Sequence, residues 1–169
     1  MPSLNFLTAR RLWLVLALGC VGLVVGSFTL TALFKLHPCY MCMFQRLMFL
    51  LMATFAVLAA FIPARPLAIL SGIVVLLCAA GGAGVATQQV WLQNQPGAEF
   101  TCGGADPSQF EIFMHWLGQL LPALFWANGN CASKELVILG LSLAGWAQVA
   151  FVASLLVGAW ALWRGRRSG

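Results

Sequence analysis

Four stretches of this chain run for about twenty residues or more with almost no charge: about 12–34, 39–62, 67–87 and 141–163. Together they hold a single charged side chain, Arg46. A helix rising about 1.5 Å per residue needs roughly 20 apolar residues to cross ~30 Å of hydrocarbon, and each stretch meets that length. The apolar runs are continuous rather than alternating, which favours helices over a transmembrane barrel. Hydrophobic residues make up 62% of the chain and charged ones 8%, with a mean hydropathy of +0.93; soluble domains sit near about 45–50% and about 25%. The sequence predicts an all-α membrane protein, a four-transmembrane-helix bundle forming one integral membrane domain over residues 1–169. A short first outer loop (about 35–38) and a long second one (about 88–140) complete it. The first apolar stretch is too long for a secretory signal, whose apolar core is about 7–15 residues, so it is read as an uncleaved span.

Basic residues orient the bundle. In a four-span arrangement Arg10, Arg11, Arg65, Arg164, Arg166 and Arg167 share one side, and Lys35, Arg46 and Lys134 share the other. By the positive-inside rule both termini and the Pro63-Ala64-Arg65-Pro66 turn are cytoplasmic. The net charge of +5 is thus a topology signal that fits a lipid bilayer and no nucleic-acid partner. Trp13, Trp160 and Trp163 at one face, with Tyr40 and Trp91 at the other, fit interfacial belts. Gly22 and Gly26 form a small-xxx-small pair suited to close helix packing, and Gly81, Gly82 and Gly84 suggest close packing or a loosened helix. The long loop holds all four acidic residues, Glu99, Asp106, Glu111 and Glu135. Within it, residues 110–117 suit a short helix, lying on the membrane surface or packed inside the loop.

The six cysteines divide by depth. Cys20 and Cys78 lie inside apolar spans and read as small hydrophobes. Cys39, Cys42, Cys102 and Cys131 all fall on the outer side, where disulfides persist. Three readings compete for these four: two structural disulfides, a four-thiolate zinc site, or two redox-active pairs. Zinc is the weakest, because structural zinc sites bring cysteines in two close pairs and Cys102 and Cys131 are far apart. No metal is expected. A bridge from Cys102 to Cys131 is reasonable as a loop staple, whereas one across Cys39-x-x-Cys42 restrains almost nothing and makes sense for its chemistry. At 100° per residue Cys39, Cys42 and Arg46 share one helix face. A helix N-terminus and nearby cations favour the thiolate, and Lys35, His37 and Arg46 supply positive charge. An arginine at that depth is costly and marks a site by default.

With these residues in view the chain resembles the DsbB family of bacterial disulfide-bond formation proteins. Pro38-Cys39-Tyr40-Met41-Cys42 followed by Gln45-Arg46 is similar to its P-C-x-x-C…R signature. Val90-Trp91-Leu92-Gln93 resembles its pattern after the third span, and Cys131-Ala132 with Leu139-Gly140-Leu141 and Trp146 resembles its entry into the fourth. The resemblance implies four spans in the bacterial inner membrane with the active cysteines periplasmic. It implies a relay that keeps the periplasm oxidising. A reduced DsbA-type thiol oxidase attacks a Cys102–Cys131 disulfide at Cys102, electrons pass to Cys39–Cys42, and Cys42 meets the membrane quinone pool (ubiquinone or menaquinone). Arg46 would stabilise the thiolate and charge on the quinone. In some members a basic residue, often histidine, precedes the Val-Trp-Leu-Gln pattern; here Gln88 and Gln89 stand there. Gln89 is a candidate quinone contact that can donate a hydrogen bond but no charge.

Three rivals are weighed against this. A vitamin-K-reductase-like enzyme also couples a membrane C-x-x-C to quinones, but there the C-x-x-C follows the other pair, and here it comes first. A scaffold with structural disulfides would hold Cys39 and Cys42 inert. A reductant exporter would need cysteines along the spans, and Cys20 and Cys78 are too few.

Overall fold

In a computed structural model of the protein, residues 2–95, 109–125, 127, 129–134 and 136–167 are described. Cys102, Glu99, Asp106 and Glu135 lie outside the described residues. Four long helices dominate: α1 (Pro2–Phe34), α2 (Tyr40–Phe61), α3 (Arg65–Leu92) and, after an intervening region, α6 (Leu143–Arg167). Each is long and apolar enough to cross a membrane, over Ala9–Phe34, Tyr40–Phe61, Arg65–Leu92 and Leu143–Gly165. Between α3 and α6 come α4 (Gln109–Leu120), the single turn α5 (Pro122–Phe125), and the strands β1 (Val137–Ile138) and β2 (Leu141–Ser142).

Local chemistry sets the boundaries. Lys35 takes a left-handed conformation (φ 48°) just past α1, and Leu36 N–H bonds back to Thr31 C=O at 3.1 Å, closing the last turn. Pro63 keeps the chain extended after α2, and Pro66 sits in the first turn of α3, where its missing N–H costs nothing. β1 and β2 form a hairpin pairing Val137 with Ser142 and Ile138 with Leu141. Leu139 (φ 53°) and Gly140 (φ 83°) make its two-residue turn, the positive-φ pair that matches strand twist. Trp146 Nε1 donates to Ile138 C=O at 3.0 Å and ties the hairpin to α6.

The long helices close into a ring in which α1 and α3 each pack on both α2 and α6. The core is small and tight: Met52, Ala56, Val75, Ala79 and Phe151 are buried completely. Phe49 and Phe151 stack with centroids 4.1 Å apart and planes 5° from parallel. A Cβ on Gly82 would collide with the Phe151 ring, so one glycine of the 81–84 group is there for close packing. Outward, the helices present Val15, Leu18, Leu70, Leu77 and Leu156, the expected outer surface of a bundle solvated by lipid.

Several features differ from the sequence expectations. Helix α3 continues past residue 87 to Leu92, so Gln88 and Gln89 are helical. Trp13 is buried rather than interfacial and packs beside Gly72 and Gly158, while Trp160 and Trp163 are exposed. Among the described residues nothing lies within 4 Å of where a Cβ on Gly22 or Gly26 would sit; they border a cavity instead. Helix α4 buries Met114 against Met43 and Phe125, and turns Ile112, Phe113 and Trp116 outward. Cys20 and Cys78 both belong to the apolar core, as expected.

Candidate functional site

The start of α2 gathers the sequence-predicted residues. Cys39 is its N-cap, with extended backbone (φ −89°, ψ 171°), and Met43 N–H bonds to Cys39 C=O at 3.1 Å. This turn brings the Cys39 thiol to donate to Cys42 Sγ at 3.2 Å. Cys39 is buried and Cys42 half-buried.

Cys131 reaches the pair from a distant part of the chain. Gly129 N–H donates to Pro38 C=O at 3.1 Å, and a Cβ at Gly129 would overlap the His37 carbonyl. Only glycine permits this approach. The next residue, Asn130, shapes the turn: its Oδ1 accepts from Ala132 N–H at 2.9 Å and its C=O from Ser133 Oγ at 2.8 Å. Cys131 is thereby buried with its thiol in hydrogen-bond contact with Cys39. Three of the four cysteines expected from the sequence on the outer side thus meet at one point, and the fourth, Cys102, lies outside the described residues.

Arg46 stands one turn below Cys42. It is 6% exposed and is held by α1. Its Nε donates to Ser27 Oγ at 2.8 Å and its Nη2 to Thr31 Oγ1 at 2.6 Å, with a longer bond to Ser27 C=O at 3.4 Å. Its guanidinium lies 4.5 Å from the Phe28 ring centroid, and Nη1 points at Met43 Sδ, 3.7 Å away. Ser27 and Thr31, one turn apart, face the same way. Every one of these partners is neutral, so the positive charge is left to act on Cys42 and Cys39.

Gln89 comes from the far end of α3 and is 3% exposed. Its Nε2 lies 3.2 Å from Cys42 Sγ and 3.5 Å from Cys39 Sγ, donating to both, while its Oε1 accepts from Gln45 Nε2 at 2.9 Å. Its amide is directed at sulfur. Gln88 is exposed.

A cavity of about 420 Å³ opens beside these groups. Gly22, Gly26 and Leu30 of α1, Phe49 of α2 and Ala147 and Trp146 of α6 give it apolar walls, and Cys42, Arg46 and Gln89 also line it. Gln93 is in the lining too; its Nε2 donates to Ser133 C=O at 3.3 Å, and its Oε1 is buried with no hydrogen-bond partner among the described residues. Among the described residues no cluster of His, Cys, Asp or Glu could hold a metal ion.

Sequence reasoning missed Ser27, Thr31, Phe28, Gln45 and Gly129. The available signals were two hydroxyls four residues apart in an apolar span and a glutamine adjoining the buried arginine.

The profile of the family described as "Disulfide bond formation protein DsbB" matches residues 9–161 of this chain. Individual relatives agree. A "Disulfide bond formation protein B" of Dechloromonas aromatica is 38% identical over 145 residues, covering 83% of this chain and 85% of that protein. Another from Saccharophagus degradans is 35% identical over 155 residues, covering 89% and 91%. A third, from Polaromonas naphthalenivorans, is 39% identical over 150 residues, covering 88% of each.

Proposed function

This chain belongs to the DsbB family, and we propose that it is a quinone-dependent thiol:disulfide oxidoreductase of the bacterial inner membrane. It is a multi-pass membrane protein of disulfide bond formation. In the reading put forward here it reoxidises a periplasmic DsbA-type dithiol oxidase, with both termini cytoplasmic and the four outer cysteines periplasmic. One observation carries the reading above all others: Cys131 touches Cys39, Cys39 touches Cys42, and Cys42 opens on the apolar cavity that holds Arg46.

The steps follow from thiol–disulfide exchange. A partner thiolate attacks Cys102 Sγ of the Cys102–Cys131 disulfide; a mixed disulfide forms and Cys131 leaves as thiolate. The partner's second thiol then closes its own disulfide and frees the Cys102 thiol. Cys131, in contact with Cys39, attacks the Cys39–Cys42 disulfide, and the leaving sulfur is Cys42. The Cys102 thiol then attacks the Cys39–Cys131 bridge at Cys131, restoring the Cys102–Cys131 disulfide and leaving Cys39 and Cys42 as the reduced pair.

At Cys42 the protein has prepared for negative charge. Cys39 and Gln89 donate hydrogen bonds to its sulfur, the Arg46 charge acts on it, and it adjoins the start of α2, whose dipole favours an anion. A quinone bound in the cavity would take up two electrons and two protons and allow the Cys39–Cys42 disulfide to close again. The cavity suits such a ligand: its walls are largely apolar, Arg46 is a cation in its lining that can meet a quinone carbonyl oxygen, and Gln93 Oε1, which has no hydrogen-bond partner among the described residues, could accept only from the O–H of the reduced quinol. Arg46, gripped by Ser27 and Thr31, would hold the ring's oxygen end toward the sulfur without needing to reorganise.

Steady-state quinone reduction by purified protein, supplied with a reduced DsbA-type partner, tests the reading. Wild-type protein should sustain turnover, and Cys42→Ser and Cys131→Ser should fall by roughly a thousandfold or more, to background. Turnover by Cys42→Ser near the wild-type rate would refute it.

A further inference from the structure

Gln45 and Gln89 are the two fully neutral amides buried in the site, 5% and 3% exposed, and they come from different helices. Their hydrogen bonds run in one direction. Gln45 Nε2 donates to Gln89 Oε1 at 2.9 Å, and Gln89 Nε2 donates onward to Cys42 Sγ at 3.2 Å and Cys39 Sγ at 3.5 Å. From the other side the Cys39 thiol also donates to Cys42. The Cys42 sulfur therefore stands at the end of two converging donor paths, which is what a thiolate requires.

A terminal amide has two nearly isosteric ends, one a donor and one an acceptor. With sulfurs on one side of Gln89 and Gln45 on the other, the end that meets sulfur depends on what Gln45 offers. Because Gln45 presents N–H, Gln89 keeps Oε1 toward it and its own NH₂ toward Cys42. Turned over, Gln89 would put an acceptor oxygen against sulfur, where it would repel the thiolate.

We infer that Gln45 is a positioning residue for the redox pair: by donating to Gln89 it fixes the Gln89 amide as a hydrogen-bond donor to the Cys42 thiolate. This rests on the proposed relay for its purpose, but not for its measurement. It also assigns Gln89 to sulfur rather than to quinone.

The test uses the full-length reduced protein in detergent, with neither partner nor quinone present. The readouts are ultraviolet thiolate absorbance and the alkylation rate of Cys42, followed by mass spectrometry of its peptide. Gln45→Met keeps the side-chain length and removes the donor. It should slow Cys42 alkylation about fivefold, the size of one ordinary hydrogen bond, and lower the thiolate absorbance in step. Gln89→Met should slow it at least as much. The two should not add: Gln45→Met/Gln89→Met should match Gln89→Met alone, because Gln45 acts only through Gln89. Gln45→Leu, which also removes the donor without adding charge, should match the loss in Gln45→Met, keeping the inference testable if one variant fails to fold. Unchanged alkylation in folded Gln45→Met, or losses that multiply in the double variant, would overturn it. Failure of wild-type protein to reduce quinone would instead count against the relay and leave this comparison readable.

Discussion

Arg46 and Arg164 lie at opposite ends of the bundle, yet each rests on an aromatic ring at nearly the same distance. Arg46 is 4.5 Å from the Phe28 centroid and Arg164 is 4.4 Å from that of Trp160; Arg10 repeats the contact on Phe61 at 4.6 Å. What separates them is what surrounds the charge. Arg46 is buried, with its fork fixed by Ser27 and Thr31 and a cavity before it. Arg10 and Arg164 are only half-buried, near helix ends, positions from which a long cationic side chain can lay its stem on apolar surface and keep its head in polar surroundings. The ring contact is common to both ends; what sets Arg46 apart is burial among neutral partners beside a cavity.

That difference predicts a ranked set of outcomes. Arg46→Ala should lower quinone-dependent turnover by about 10²-fold or more, as for loss of a preorganised electrostatic group, whereas Arg46→Lys should keep the charge, lose the fork and fall by about tenfold. Equal losses in Arg46→Ala and Arg164→Ala would erase the contrast. Next in size, Ser27→Ala with Thr31→Val should cost about tenfold, since each bond to a charged group contributes roughly 1.5–3 kcal/mol and part is recovered when the fork relaxes. This loss should fall mainly on the step that uses quinone, with a smaller slowing of Cys42 alkylation as the Arg46 charge shifts away from the sulfur.

Gly82→Ala probes the apolar middle that separates the two ends. Its methyl would press on Phe151, so thermal stability in detergent should drop by about 1–3 kcal/mol, with turnover per folded molecule preserved. Smallest of all, Arg164→Ala should change turnover by less than about twofold, because a half-exposed cation at a helix end contributes little.

The comparison also explains what a sequence can reveal of such a site. The four helices were legible because lipid imposes one rule on every residue of a span. The Cys39-x-x-Cys42…Arg46 face was legible because local helix geometry alone assembles it. The grip on Arg46 was not. Hydroxyls in apolar helices commonly bond to the carbonyl four residues back, as Thr29, Thr54, Thr87 and Ser154 do here. Thr31 does the same with Ser27 C=O, and nothing in the sequence shows that it also accepts from an arginine on another helix. Trp13 failed for a related reason: near a span's end it reads as interfacial, but the turn of α1 aims it at Gly72 and Gly158. Gly22 and Gly26 satisfy a packing motif, yet their missing side chains leave room for a cavity. The Cys131–Cys39 meeting depends on Gly129 lying against His37, a tertiary contact with no local signature.

The most direct test of the central claim is the visible charge-transfer absorbance between the reduced Cys42 thiolate and quinone, recorded on adding quinone to purified, reduced protein. The account predicts a band in wild-type and Arg164→Ala protein that disappears in Arg46→Ala and in Cys42→Ser. A band that survives in Arg46→Ala at wild-type intensity, or one that never forms in the wild-type protein, would contradict it.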